Sequence, residues 1–320
     1  MRRPLMTVAA LGAAALVLAS CGSGDDGGEK TASGDDKLTV GVIPIVDTAP
    51  IWLGKEKGFF KDEGIDLELT KTTGGAAAVP GVVNGEFDFA FGNVMSVMVA
   101  QDQGLPLSFV TNGTTTSGEE GKDFSGVVAP KGSDIKSPKD LEGKNVGVNN
   151  LKNIGDTTVR YAVEADGGDP SKIKFSEVAF PDAPAALSKG NVDAAWVLEP
   201  FLSKAIAEGG TVISWNYVEM SPKLDIAGYF TQDKKIKADA DLVKRFQSAM
   251  NKSLEYSQEH PDEVRDIVGT YTEMDAKTRA DMVLPKFTPE FDRPAAEQLG
   301  EAAVKYGTLK KAPDLDKLLP

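Results

Sequence analysis

Gly85-Glu86-Phe87-Asp88-Phe89-Ala90-Phe91 is echoed further along the chain by Gly190-Asn191-Val192-Asp193-Ala194-Ala195-Trp196. The shared pattern is glycine, any residue, apolar, aspartate, apolar, alanine, aromatic. Each copy reads as a glycine that stops a helix, followed by a short strand. The openings of the two units match as well, since Thr39-Val40-Gly41-Val42 has its counterpart in Asn145-Val146-Gly147-Val148. The chain therefore holds two copies of one unit.

Between these anchors the hydrophobic period alternates. In the first unit residues 38–43 read as a strand, 50–57 as a helix, 65–70 as a strand and 75–84 as a helix. Pro80 fits that last helix only near its start, so its limits stay open. In the second unit 145–148 is a strand, 156–165 a helix, 173–178 a strand and 183–189 a helix leading into a strand at 192–197. Alternating strands and helices imply two parallel sheets, each the centre of a small α/β lobe.

In open parallel sheets ligands bind beyond the carboxyl ends of the strands, so two such sheets facing one another make a cleft. The residues just after each strand become the candidates. In the first unit these are 44–50, 72–76, 92–94 and 111–113, with Asp47, Thr48, Thr73, Gly74, Gly75, Ala76, Asn93 and Asn112 among them. In the second they are 149–157, 180–183 and 198–200, with Asn150, Gly155, Asp156, Thr157 and Glu199.

Cys21 is the only cysteine of the 320 residues. It closes Leu18-Ala19-Ser20-Cys21 after an apolar run of Ala, Leu, Val and Gly that follows Arg2 and Arg3, and the whole is similar to the signal peptide and lipobox of a bacterial lipoprotein. That similarity implies cleavage after residue 20, lipid on Cys21 and a place on the outer face of the cell membrane. Residues 21–36, rich in Gly, Ser, Asp and Glu, then form a flexible tether. Without Arg2 and Arg3 the chain carries 33 basic against 48 acidic residues, a net of −15. Such acidity argues against nucleic acid and against electrostatic docking on anionic lipid, which leaves the acyl anchor as the membrane attachment.

Ile51-Trp52-Leu53-Gly54-Lys55-Glu56-Lys57-Gly58-Phe59-Phe60-Lys61-Asp62-Glu63-Gly64-Ile65 resembles the opening of the solute-binding proteins that serve ABC importers for sulfonates, taurine, nitrate and thiamine pyrimidine precursors. Ser137-Pro138-Lys139-Asp140-Leu141-Glu142-Gly143-Lys144 and the stretch 190–200 resemble two further parts of that family. The resemblance implies a two-lobed periplasmic-binding-protein-like α/β fold of type II, closing on a ligand between the lobes. It implies lobe 1 from 37–124 and 232–320, lobe 2 from 125–231, and crossing strands at 124–129 and 226–231. It also implies a monomer that partners ABC permease subunits and needs no cofactor or metal.

Within the cleft, Thr73 to Ala76 opens a helix and either presents backbone amides to an anion or is a simple tight turn. The loop 150–157 offers the same from the other lobe, with Asp156 alternatively the helix N-cap. Asp47, Glu199 and Asp225 are acids at strand ends; an acidic lining suits a ligand with an amino group, although Asp225 is expected to face water. Trp196 and Tyr229 offer stacking faces, and Trp196 equally fits the core because it repeats the place of Phe91.

Three classes of function remain. The first is an importer component that takes an aliphatic sulfonate or taurine-like ligand, with an aminopyrimidine as the alternative. The second is an enzyme, since the fold resembled here also occurs in pyrimidine and menaquinone precursor synthases; His260, the sole histidine, lies in a polar stretch, and neither metal-ligand spacing nor a phosphate loop is present. The third is a structural lipoprotein, which explains the anchor but not the paired loops. The first is the expectation, and no enzymatic activity goes with it.

Overall fold

The computed structural model describes residues 34–320, so the expected signal peptide, Cys21 and the tether up to residue 33 lie outside the described residues. Eleven strands follow: β1 (Asp36–Val42), β2 (Ile65–Lys71), β3 (Phe89–Asn93), β4 (Leu107–Thr115), β5 (Ser125–Ala129), β6 (Asn145–Val148), β7 (Lys174–Glu177), β8 (Ala194–Leu198), β9 (Thr211–Ser214), β10 (Asp225–Gln232) and β11 (Lys286–Phe287). They form a six-stranded sheet in the order β11-β4-β10-β3-β1-β2 and a five-stranded sheet in the order β7-β6-β8-β5-β9. The two orders share one scheme, with β2-β1-β3-β10-β4 matching β7-β6-β8-β5-β9.

The repeated heptapeptide explains the match. Gly85 and Gly190 take left-handed backbone, φ 84° and 69°, which ends the preceding helices. Asp88 then accepts the Thr39 N–H at 2.8 Å, and Asp193 accepts the Asn145 N–H at 2.7 Å, so each carboxylate docks the opening of the neighbouring parallel strand. Ala90 and Ala195 stand beside Gly41 and Gly147 in the ladder. The rings or methyls of Phe87 and Val192 fill the space over those glycines.

The expectation of two parallel sheets needs correction, because each is mixed. β10 runs antiparallel to β3 and β4, while β5 runs antiparallel to β8 and β9. Both are the strands expected as crossings, and each enters the sheet of the lobe it leads into with reversed direction. The segments that link the sheets are 116–124 and 221–224, joined by Thr116 N–H to Leu224 O at 3.0 Å.

Pro80 sits in the middle of the helix Gly75–Asn84, not near its start. It is exposed, as is Ala76 four residues before it, so the carbonyl that proline cannot bond lies on a helix face open to solvent. The helix Ala240–Glu259 returns across the six-stranded sheet, stacking Phe246 on Phe89 at 4.0 Å. Among the described residues no helix is long and apolar enough to cross a membrane.

Candidate functional site

The loops after the parallel strands of the two sheets meet. Asn149 Nδ2 donates to the Thr73 carbonyl at 3.3 Å, and Asn153 Nδ2 donates to Ser96 Oγ at 3.1 Å. Thr157 and Thr308 bring their hydroxyls to 3.3 Å. Asn93 caps the helix Val94–Asp102 by accepting the Ser96 N–H at 2.8 Å, which fixes the hydroxyl that Asn153 reaches. Gly74 is pressed on the opposite lobe: a Cβ there would lie 2.0 Å from Asn150 Oδ1 and 2.8 Å from Asn149 Nδ2. Thr73 and Ala76 are exposed, while Gly75 packs against Gly92 and Ser96.

The helix Ile154–Ala165 starts in a capping box. Asn153 is the N-cap and Asp156 stands at its third position, accepting the N–H groups of Asn153 at 2.6 Å and Lys152 at 2.9 Å. The Asp156 carboxylate is thereby committed to its own loop. Gly155 lies under Trp196, whose ring would stand 2.3 Å from a Cβ. The Trp196 indole N–H donates to Ser125 Oγ at 2.8 Å, and its ring meets Phe180 and Tyr217, which is core packing.

Asp47 occupies the single turn Val46–Thr48 that follows β1, and only 1% of its surface is exposed. Thr114 Oγ1 on β4 donates to its Oδ1 at 3.1 Å, whereas Oδ2 is buried without a partner. Burial pushes the carboxyl up to about 7, and the charge of Asp123 on the first linking segment pushes the same way. Tyr217, in the helix Asn216–Met220, and Tyr229, on β10, bury hydroxyls that also lack a hydrogen bond; Tyr217 lies beside Ser125 without satisfactory geometry. Burial raises both phenols well above their ordinary value, and the Asp47 charge adds to it. Tyr217 packs on the five-stranded-sheet lobe, against Phe124 and Trp196, and Tyr229 on the other, against Phe91. Thr48 spends its hydroxyl on the carbonyls of Ile43 and Ile45. Tyr271 donates to Ile45 O at 3.0 Å and stacks on Trp52, whose indole N–H has no partner.

Glu199 is 2% exposed and fully engaged. Its Oε1 accepts from Ser203 Oγ at 2.7 Å and from the Val283 N–H at 3.1 Å, and Oε2 from the Ser203 N–H at 3.0 Å. Its carbonyl accepts the Val46 N–H at 3.1 Å. Burial lifts its carboxyl to about 7. A cavity of about 700 Å³, lined by Asp123, Glu199, Trp215 and Thr278, runs between the helices Phe201–Ala207 and Ala276–Asp281.

Asn112 and Asp225 form a separate network. Asn112 Nδ2 donates to Asp225 Oδ1 at 2.8 Å and to Glu290 O at 2.6 Å, while Asp225 also accepts from Thr115 and from the Asp292 N–H. The expectation that Asp225 faces water is corrected: it is 2% exposed, and burial lifts its carboxyl to about 6. These two residues tie β4 and the start of β10 to 289–292.

Tyr217, Thr114, Asp123 and Val283 were not legible as site residues. None lies in a repeated motif, and each arrives through the pairing of distant segments. Among the described residues no group of three or more His, Cys, Asp or Glu is placed to hold a metal. His260 stacks on Tyr256 at 3.8 Å and bonds its carbonyl.

Residues 45–264 match the family model described as NMT1/THI5 like. The formylaminopyrimidine-binding protein of Halalkalibacterium halodurans is 25% identical over 80% of this chain and 76% of its own. The putative aliphatic sulfonates-binding protein of Bacillus subtilis is 26% identical over 82% and 76%. Among solved structures, the alkanesulfonate-binding protein SsuA from Xanthomonas axonopodis pv. citri, bound to MOPS, superposes with a TM-score of 0.75 over 91% of this chain and 99% of that one, at 14% identity. That likeness is one of fold.

Proposed function

The chain belongs to the NMT1/THI5-like family, and from that premise we propose that it is the solute-binding component of an ABC importer whose ligand presents N–H donors to Asp47. The observation that carries this is the set of buried, unpartnered polar atoms between the lobes: Asp47 Oδ2, Tyr217 OH and Tyr229 OH. Buried polar groups without partners are costly, so a fold keeps them where something else bonds them. An ionised carboxylate only accepts, and phenols can donate. The edge of an aminopyrimidine, an amino N–H beside a ring nitrogen acceptor, complements that pair. A plain sulfonate or nitrate would instead bring its negative charge against a buried carboxylate.

A zwitterionic aminosulfonate such as taurine is the second reading. It is favoured by the opening of the helix Gly75–Asn84, which lies at the lobe interface beside Asn149 and Asn150 and offers amides to the sulfonate while Asp47 takes the ammonium. Residues Thr73 to Ala76, Asn150, Asp47 and Tyr229 remain the proposed ligand contacts. Glu199, Asp156, Trp196 and Asn112 are proposed to support the site, since the two carboxylates, the Trp196 indole N–H and the Asn112 amide nitrogen are engaged elsewhere in the fold. Cys21 as the lipid anchor, the extracytoplasmic membrane face, a monomeric state and the permease partner belong to the same proposal, as does the absence of turnover.

Calorimetric titration with 4-amino-5-hydroxymethyl-2-methylpyrimidine, taurine, a simple alkanesulfonate and nitrate, at pH 8 and pH 6, tests it. Asp47 ionises near 7, so an N–H donor ligand should bind roughly tenfold more weakly at pH 6 than at pH 8. A ligand without an amino group that binds best, and gains affinity on acidification, would overturn the reading. Conversion of the ligand to a product would return the protein to the enzymes.

A further inference from the structure

We infer that Gly74 is the residue that lets the two lobes close, and that Asn149 and Asn150 are the surface it closes against. This deepens the proposed function, and rests on it only for the part of the test that uses a ligand.

The loop carrying Gly74 follows β2 in one lobe, and Asn149 and Asn150 follow β6 in the other. Between them the bond from Asn149 Nδ2 to Thr73 O links the lobes, and the Asn149 side-chain oxygen Oδ1 is buried beside it with no partner. The space at Gly74 admits a hydrogen and nothing larger, with Asn150 Oδ1 at 2.0 Å and Asn150 Cγ at 3.0 Å from the position of a Cβ. The backbone there is extended, φ 171° and ψ 166°, a conformation any residue adopts. The glycine is therefore not required by its own backbone. It is required by the opposite lobe, and only when the lobes meet.

This separates closure from folding in a way few positions allow. A side chain at 74 costs nothing in the separated arrangement and opposes contact in the closed one, so it shifts the population without contributing to either lobe's core. Alanine meets the end of an asparagine side chain that can turn aside. Valine adds two methyl groups where a Cβ alone already meets Asn150 Oδ1 and Cγ, and so forces the loops apart.

The full chain carrying Cys21→Ser, with exposed Glu68→Cys and Lys189→Cys labelled for a distance measurement by electron spin resonance, reads the lobe separation directly. It is recorded alone and with 4-amino-5-hydroxymethyl-2-methylpyrimidine or taurine. Gly74→Val should move the distribution to longer distance, Gly74→Ala should do so slightly, and thermal stability should stay within a degree or two of the parent. In an Asn149→Ala/Asn150→Ala background at least half of the valine shift should vanish, because its partner is gone. With whichever probe binds, the valine variant should lose tenfold or more in affinity, mostly through faster release. A valine variant with the parent's distances, a shift of equal size in the double-alanine background, or a parent that shows only the long distance under every condition overturns the inference. The distance readout stands without any ligand, so failure of both probes to bind counts against the proposed function and leaves this result to be read by itself.

Discussion

Asp47 makes the stability of the fold depend on pH. Its carboxyl moves from 3.8 to about 7, with Glu199 moving from 4.5 to about 7 and Asp225 from 3.8 to about 6, all chiefly by burial. Between the ordinary carboxylate range and these raised values the native state binds more protons than the unfolded chain, so stability falls as pH rises through that window and levels off above it. The melting temperature without ligand should therefore be higher at pH 5 than at pH 8. Asp47→Asn removes the buried charge and should stabilise the protein at pH 8 by about 2 kcal/mol, flattening the pH profile while abolishing tight binding. Calorimetric scans of parent and variant across pH 5–8 decide it; an unchanged slope in the variant would assign the dependence to other groups. The position of Asp47 after a strand was readable from the sequence, because strand ends mark the cleft in any sheet of this kind. Its isolation from any cation was not, since that depends on Thr114, Tyr217 and Tyr229 arriving from far along the chain.

At the scale of elements, the repeat shows why a short motif determined so much. The aspartate in each copy bonds the N–H that opens the adjacent parallel strand, so the spacing from Thr39 to Asp88 and from Asn145 to Asp193 is a register device. The copies differ in what else they do, because Asp88 also accepts Lys235 Nζ at 2.8 Å, whereas among the described residues Asp193 has no ion pair of this kind. Asp88→Ala should cost about 1–2 kcal/mol and Asp193→Ala about 1 kcal/mol or less. Denaturant titrations read by Trp52 in one lobe and Trp196 in the other would show each loss in its own lobe, and equal losses would mean that Lys235 contributes nothing. What the motif could not show is strand direction. β5 and β10 are apolar runs like their neighbours, and their reversal follows from the chain crossing between sheets, which no local period records. Pro80 taught the same lesson, since its tolerance depends on which helix face meets water.

The molecule as a whole is two copies of one sheet scheme, joined by two adjacent linking segments and touching along loops that the repeat places opposite each other. Such a design gives a ligand leverage only if it contacts both lobes, and the unpartnered groups meet that condition, with Tyr217 packed on one lobe and Asp47 and Tyr229 on the other. A ligand that bonds all three must favour the arrangement that brings them together, and the shift it can produce is limited by that difference in affinity. Solution scattering at saturating ligand should accordingly show a smaller radius of gyration than without it, by about 1 Å for a hinge motion of this size. Tyr217→Phe tests the mechanism more sharply than the parent does. It keeps the ring that packs on Trp196 and removes only a buried, unpartnered hydroxyl, so the five-stranded lobe should melt no lower than before while the ligand loses its hold on that lobe. Binding should weaken by about 1–2 kcal/mol, and the compaction per bound ligand should shrink with it. A variant that binds as tightly and compacts as fully as the parent would remove Tyr217 from the site and leave closure to be driven from the six-stranded lobe alone.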